Sequence, residues 1–265
     1  MSSGVPQGSV LGPYLFAIFM STYQPFFNDT CVVKYADDVT LVLPVHKSSF
    51  NDLSRVNFEI NSFYDWCSKN GMSVNTSKSK CMNVFFGKNV LPVVPNLENV
   101  TTLKILGVIF NHKLTWSDHL AYTCSKASRR LYVLRILKSL FNHDQLVNVF
   151  YAIIRSLFEY ACPVFLNPGV AFDNKIISLC KRAFQIIHGR DCSSCEFCNL
   201  TNIQHRRQLL SLRLFTEALD NNEHSLHRFL PRRSERNRLL LPHDRCQRRL
   251  KAFVFSCALL FNYSR

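Results

Sequence analysis

Between Cys31 and Leu43 two β-branched, apolar runs flank a small acidic centre, in the order Cys31-Val-Val-Lys-Tyr-Ala-Asp37-Asp38-Val-Thr-Leu-Val-Leu43. Strand-forming residues on both sides of so short a break predict a tight hairpin with Ala36, Asp37 and Asp38 at its bend. Val33, Val39 and Leu41 are the residues expected to anchor it in a core. The bend then projects two adjacent carboxylates from rigid strands. Mg²⁺ is a hard ion that prefers oxygen and is commonly held by one or two carboxylates together with substrate phosphates. Two such ions about 4 Å apart can activate a hydroxyl and stabilise a leaving pyrophosphate. Asp is equally a favoured turn residue, so the pair alone does not separate metal chemistry from turn geometry.

The surroundings of the hairpin define a mixed α+β front. Gly4-Val-Pro-Gln-Gly-Ser-Val-Leu-Gly-Pro13 reads as an irregular loop, and Leu15, Ile18 and Phe19 after it fall at helical spacing. From Ser48 to Asn70 the apolar residues Leu53, Val56, Ile60, Phe63 and Cys67 predict an amphipathic helix that Gly71 ends. Short strands are predicted near Val74, over 82–86 and over 103–110. From Ser117 the texture turns helical: Leu120, Cys124, Ala127, Leu131, Leu134, Leu137 and Phe141 mark one long helix, and 146–157 and 176–187 mark two more.

Charge follows the same division. The chain of 265 residues carries a net charge of +14. Its first 102 residues hold seven basic and seven acidic side chains, so the whole excess lies after Thr102. A neutral front and a basic rear suggest chemistry in one part and a polyanion held by the other, although basic helices can also be plain solvated faces. Lys126, Arg129, Arg130, Arg135 and Lys138 line the first rear helix, and Arg232, Arg233, Arg236, Arg238, Arg245, Arg248 and Arg249 form an Arg-dominated tail suited to phosphate. An apolar share of 47% excludes a wholly disordered chain. No apolar run reaches the roughly 20 residues of a membrane span, so no membrane is expected as a partner. With no signal-peptide pattern at Met1–Val10 and 11 Cys at largely irregular spacing, reduced thiols and a cytoplasmic or nuclear location are expected, not secretion.

Tyr35-Ala36-Asp37-Asp38, a short way after Gly4–Pro13, resembles two signature blocks of reverse transcriptases, specifically those of non-LTR (LINE-type) retrotransposons. The resemblance continues: Gly71-Met-Ser-Val-Asn-Thr-Ser-Lys-Ser-Lys80 looks like the following palm block, and Leu103–Trp116 looks like the primer-grip block. A looser likeness extends over Leu179–Gly189, Arg206-Arg207 and Arg245–Asn262. It implies a partial polymerase palm, an antiparallel sheet with helices, over 1–116, a helical thumb over 117–190 and a basic, Cys- and Arg-rich helical tail over 191–265. It implies RNA-directed DNA polymerase chemistry with two Mg²⁺ ions, deoxynucleotide triphosphates, an RNA template and a DNA primer or an RNA–DNA hybrid. Asp37 and Asp38 would be metal carboxylates, and Lys78, with Lys80 as the alternative, would protonate or steady the leaving pyrophosphate. Gln7, Gly8 and Tyr35 would lie at the template base and nucleotide, and Leu106, Gly107 and Val108 would form the turn that holds the primer end.

In the family a further aspartate, on a strand before the Gly-rich block, completes the metal set, whereas Gly4 here is three residues from Met1. The expectation is therefore an N-terminally truncated polymerase, inactive alone because the fingers and first catalytic Asp are missing. The alternative is a noncatalytic RNA or hybrid-binding protein derived from a retrotransposon. A viral RNA-dependent RNA polymerase fits less well, since those usually carry Gly where this chain has Ala36. Separately, Cys192, Cys195 and Cys198 with His188 have spacing that can close a tetrahedral zinc site. His112, His119, His143, His224, His227 and His243 are expected at the surface or at helix ends.

Overall fold

A computed structural model describes residues 8–45, 50–85, 93–166, 169–189, 202–231, 239–240 and 253–263. The chain is α+β and divides into two compact units, Met1–Lys104 with Asn111–Leu114, and Ile105–Phe110 with Thr115–Arg265.

The first unit holds α1 (Gly12–Ser21), the hairpin strands β1 (Cys31–Tyr35) and β2 (Asp38–Val42), α2 (Phe50–Lys69), β3 (Lys80–Cys81) and β4 (Glu98–Asn99). A further hairpin follows, β5 (Thr102–Ile105) and β6 (Val108–Asn111), and its tip counts with the second unit. Among the described residues the strands form three separate two-stranded sheets instead of one, and β3 pairs with β4 in parallel, Lys80 opposite Glu98. No strand forms at Val74, because the next residue commits the chain to a turn: the Asn75 side-chain oxygen accepts the Lys78 N–H at 3.2 Å. Aromatic contacts join the helices and the loop between them, with Phe19 5.8 Å from Trp66, Tyr23 5.0 Å from Phe63, and Phe26 4.6 Å from Phe58. The helix that the spacing of Leu15, Ile18 and Phe19 predicts forms as α1, but Leu15 and Ile18 lie exposed with Leu11 and Tyr14, while α1 buries Gly12 and Met20. Helix α2 ends where the Gly71 signal placed it, with the Met72 N–H bonded to the Cys67 carbonyl at 2.9 Å.

The second unit is helical: α3 (Ser117–Leu137), α4 (His143–Val149), a π-helical segment Phe150–Arg155, α5 (Ser156–Glu159), a 3-10 turn Cys162–Phe165, α6 (Val170–His188), α7 (Ile203–Asp220), a 3-10 turn His227–Phe229 and α8 (Phe253–Tyr263). Leu120, Cys124, Ala127, Leu131 and Leu134 form the inner stripe of α3, as their spacing required, against Ile176, Leu179, Cys180, Ala183 and Ile187 of α6 and Phe150, Ile154 and Phe158. A smaller core gathers Phe215, Cys257, Ala258 and Phe261. Helix α3 stops short of Phe141 because Asn142 opens the next helix with a capping box, its side chain accepting the Gln145 N–H at 3.0 Å and its own N–H donating to the Gln145 side chain at 3.0 Å. The wider π turn is stabilised from outside: the Arg130 guanidinium donates to the Ile153 carbonyl. His119, expected at the surface or at a helix end, lies in the first turn of α3 but is buried, with its Nδ1 3.4 Å from the Ile109 N–H and its ring edge-on to Phe165 at 5.0 Å.

Candidate functional site

The β1–β2 register pairs Val32 with Leu41, Lys34 with Val39 and Tyr35 with Asp38, leaving Ala36 and Asp37 as the two-residue loop. Ala36 has φ 49°, left-handed backbone that an L side chain enters at a cost of about 1 to 3 kcal/mol. Sterics thus concentrate at the bend that carries the acid pair. Asp37 and Asp38 are both exposed, and among the described residues no side chain is hydrogen-bonded or ion-paired to either carboxylate. Val33 is not an anchor. It is 51% exposed and lies on the outer face with Tyr35, because alternation puts Val32, Lys34, Val39 and Leu41 on the other.

The inward strand position of Lys34 has a use that periodicity did not signal. Its ammonium donates to the Met20 carbonyl at 2.7 Å and the Tyr23 carbonyl at 2.8 Å, satisfying groups at and just past the C-terminus of α1. Burial lowers its pKa. A second polar anchor, also invisible in the pattern, is Glu59 on α2, fully buried. One of its oxygens accepts the Tyr23 hydroxyl and the Phe26 N–H, both at 3.0 Å; the other accepts the Phe27 N–H at 3.1 Å and the Thr30 hydroxyl at 3.2 Å. The carboxylate organises the loop that enters β1 directly before the acid hairpin. Burial and the bond to Glu59 push the Tyr23 phenol far above its ordinary value.

Of the other predicted positions, Gly8 is exposed at a turn with φ 83°, open to the left-handed region by its missing side chain, and Gln7 lies outside the described residues. Lys78 is exposed in the Asn75 turn. Its alternative, Lys80, is ion-paired with Glu98 at 3.0 Å, which leaves Lys78 the less committed cation of the two. Among the described residues no hydrogen bond links Gly8 or Lys78 to the acid pair. Leu106 and Gly107 form a two-residue turn with φ 46° and 84°, while Val108 is the first residue of β6 and is buried.

The Cys192, Cys195 and Cys198 thiols fall outside the described residues. His188 is described: its ring stacks 4.2 Å from Phe184, and its Nδ1 and Nε2 lie 2.8 and 3.1 Å from His143 Nε2. Among the described residues no group of three or more His, Cys, Asp or Glu could hold a metal ion, and no helix is long and apolar enough to cross a membrane.

The basic helix face sorts into two classes. Arg129, Arg135 and Lys138 are exposed, whereas Arg130 is half-buried and spent on the Ile153 carbonyl. Arg206 pairs with Glu159 at 2.8 Å. Arg207 is buried, donating to the Phe165 carbonyl at 2.9 Å and pairing with Asp173 at 3.3 Å. Burial lowers the Arg207 pKa and raises that of Asp173, each opposed by the partner's charge. The tail positions 232–238 and 241–250 lie outside the described residues.

Comparison with known proteins gives this geometry a context. Residues 1–110 match the family described as reverse transcriptase (RNA-dependent DNA polymerase). The chain is 29% identical over 207 residues to the RNA-directed DNA polymerase from mobile element jockey of Drosophila melanogaster, covering 71% of this chain and 22% of that protein. It is 26% identical over 265 residues to the probable RNA-directed DNA polymerase from transposon X-element of the same fly, covering 94% and 28%. The jockey polymerase of Drosophila funebris is 27% identical over 276 residues, covering 95% and 29%. The chain thus spans under a third of the length of these curated relatives. No solved structure matches it.

Proposed function

This chain is a relative of the reverse transcriptases of LINE-type mobile elements, and from that premise we propose that it carries the later palm, over 1–116, the thumb, over 117–190, and the basic C-terminal region, over 191–265, of an RNA-directed DNA polymerase. The observation that carries the reading is the acid pair: two carboxylates uncommitted among the described residues, on a hairpin whose bend is held in left-handed backbone and whose approach is anchored by Glu59 and Lys34.

The donor set fits Mg²⁺. Asp37 and Asp38 offer only hard oxygen, and an ion that keeps several waters and shares substrate phosphates needs no closed protein cage. Asp37 and Asp38 would hold Mg²⁺, which would supply Lewis acidity toward a primer hydroxyl and positive charge toward a departing pyrophosphate. The chain's own part is to hold that metal on Asp37 and Asp38, to place the Lys78 ammonium at the leaving group, and to leave the Gly8 backbone open to the template and nucleotide. The Leu106–Gly107 turn and Val108 then steady the primer end. Arg129, Arg135 and Lys138 supply phosphate contacts that hold a hybrid without reading sequence.

Two carboxylates leave more of the charge of two ions uncompensated than three, so the 265 residues alone are expected to hold metal weakly and to extend no primer. The exposed Leu11, Leu15 and Ile18 face of α1 fits a need for further covering structure. Primer extension on an RNA template with Mg²⁺ and four deoxynucleotides tests this. Synthesis that Asp37→Ala abolishes would overturn the expected inactivity while upholding the assignment of the acid pair. Absence of hybrid binding by the chain would sink the polymerase reading and the noncatalytic hybrid-binding alternative together.

A further inference from the structure

Leu106 and Gly107 both occupy left-handed backbone, the geometry of a two-residue hairpin loop that usually takes Asn-Gly. Leu at the first position is a poor fit for φ 46°, so the turn depends on support from its surroundings. That support comes from Tyr160, 54 residues away, whose hydroxyl donates to the Leu106 carbonyl at 2.5 Å. The Tyr160 ring packs against the place a Gly107 side chain would occupy: a Cβ added there would meet Tyr160 Cε1 at a tight 3.3 Å.

The tyrosine is itself held. Its N–H bonds the Ser156 carbonyl at 3.0 Å as α5 ends, and Ala161 after it turns left-handed at φ 52°, which directs the chain out of the helix. Beside it Glu159 accepts from Arg155 at 2.5 Å and from Arg206 of α7 at 2.8 Å. A chain of contacts therefore runs from α7 through Glu159 and Tyr160 to the hairpin tip, all within the helical unit.

We propose that Tyr160 is a positioning residue that sets the Leu106–Gly107 tip in the geometry needed to hold a primer 3′ end. The proposal rests on the primer-grip reading of that hairpin. Gly107 is matched to the tyrosine ring as well as to the backbone angle, and the hydroxyl supplies a donor to the carbonyl of the strained Leu106. Because Tyr160 is still 55% exposed, it acts at the surface where a nucleic acid end can reach the tip.

The test uses the 265-residue chain and fluorescence anisotropy with two labelled RNA–DNA hybrids of equal length, one with a recessed DNA 3′ end and one blunt. The wild-type chain is expected to prefer the recessed end. Tyr160→Phe keeps the ring but loses the hydroxyl, and should reduce that preference about 2- to 10-fold, the range of one hydrogen bond, with blunt-hybrid affinity unchanged and the melting temperature lowered only slightly. Gly107→Ala, strained at φ 84° and pressing on the ring, should also reduce that preference, and because it alters the tip itself it is expected to lower the melting temperature as well. A wild-type chain with no preference overturns the primer-grip reading, and the proposal with it. A wild-type preference that survives both substitutions overturns the role of Tyr160 alone.

Discussion

Glu59 accepts the Tyr23 hydroxyl at 3.0 Å from a position with no solvent exposure, and that oxygen and its twin together receive four donors. A carboxylate is acceptor-only, which is what four converging donors require. Glu59→Gln would set an NH₂ against two of them. The expected cost is about 2 to 4 kcal/mol, since each buried donor left unmet costs about 1 to 3 kcal/mol. Tyr23→Phe removes a single donor and should cost less. Urea unfolding of the two variants checks the order; equal, small losses would mean that the network contributes little.

Arg130 and its neighbours on α3 should separate by phenotype. Arg130→Met leaves the Ile153 carbonyl of the π turn without its donor and is expected to lower stability by about 1 to 3 kcal/mol. Arg129→Ala and Arg135→Ala, at exposed positions, should leave stability nearly unchanged. Each should weaken hybrid binding and reduce the salt slope by about 0.7 to 0.9 for every phosphate it no longer neutralises. Titrations at several salt concentrations, alongside melting curves, decide the matter. A salt slope unmoved by the exposed pair would remove α3 from the binding surface.

Arg207 is buried and pairs with Asp173, which is partly exposed. Removing Arg207 leaves the Phe165 carbonyl without its donor and Asp173 with only partial access to water, a loss of about 1 to 3 kcal/mol or more. Arg207→Met is therefore expected to be destabilising, and the double variant with Asp173→Asn to be milder than the single. A double-mutant cycle in denaturant measures the coupling, which strict additivity would refute.

Alkaline pH should unfold the helical unit early. Burial pushes the Cys180 thiol up to about 12, Arg155 partly opposing, and pushes Cys257 up to about 12 with Cys162 adding to the rise. Both thiols ordinarily ionise at 9.0. Between those values the folded chain keeps protons that the unfolded chain gives up, so stability falls as pH rises. The slope is about 1.4 kcal/mol per pH unit for each thiol. Denaturation midpoints from pH 8 to 10.5 should show it, and Cys180→Ala with Cys257→Ala should flatten it. An unchanged slope in that double variant would assign the alkaline loss to other groups.

Local pattern was a good guide where one side chain type had one task. The 4, 3, 4, 3 spacing from Leu120 to Leu134 located the inner stripe of α3, and β-branching around Asp37 located the acid hairpin. What pattern missed were long polar side chains with inward work. Lys34 and Glu59 look like ordinary surface residues of a strand and a helix, yet each satisfies groups distant in sequence that no local window contains. The same limit applies to Arg130, read on the basic helix face, and to His119, read as a surface or helix-end residue, because neither periodicity nor charge reveals a buried partner. It applies also to Tyr160, whose meaning depends on a turn 54 residues away. At Leu15 and Ile18 apolar spacing located the helix α1, yet it says that a face wants covering without saying that the described residues cover it.

The π segment at Phe150–Arg155 encodes orientation in chain length. Such a segment accommodates one residue more than a regular helix over the same path, and each residue turns a helix by about 100°. Deleting a single residue there would let the backbone close into ordinary α geometry over the same path and keep Tyr160 near Leu106, whereas deleting one from a regular helix such as α3 would swing everything beyond it by that angle. Conservative side-chain changes within 150–155 leave the aim intact. The stretch should therefore tolerate the loss of one codon better than a regular helix would, an asymmetry that arises from counting residues and not from their chemistry.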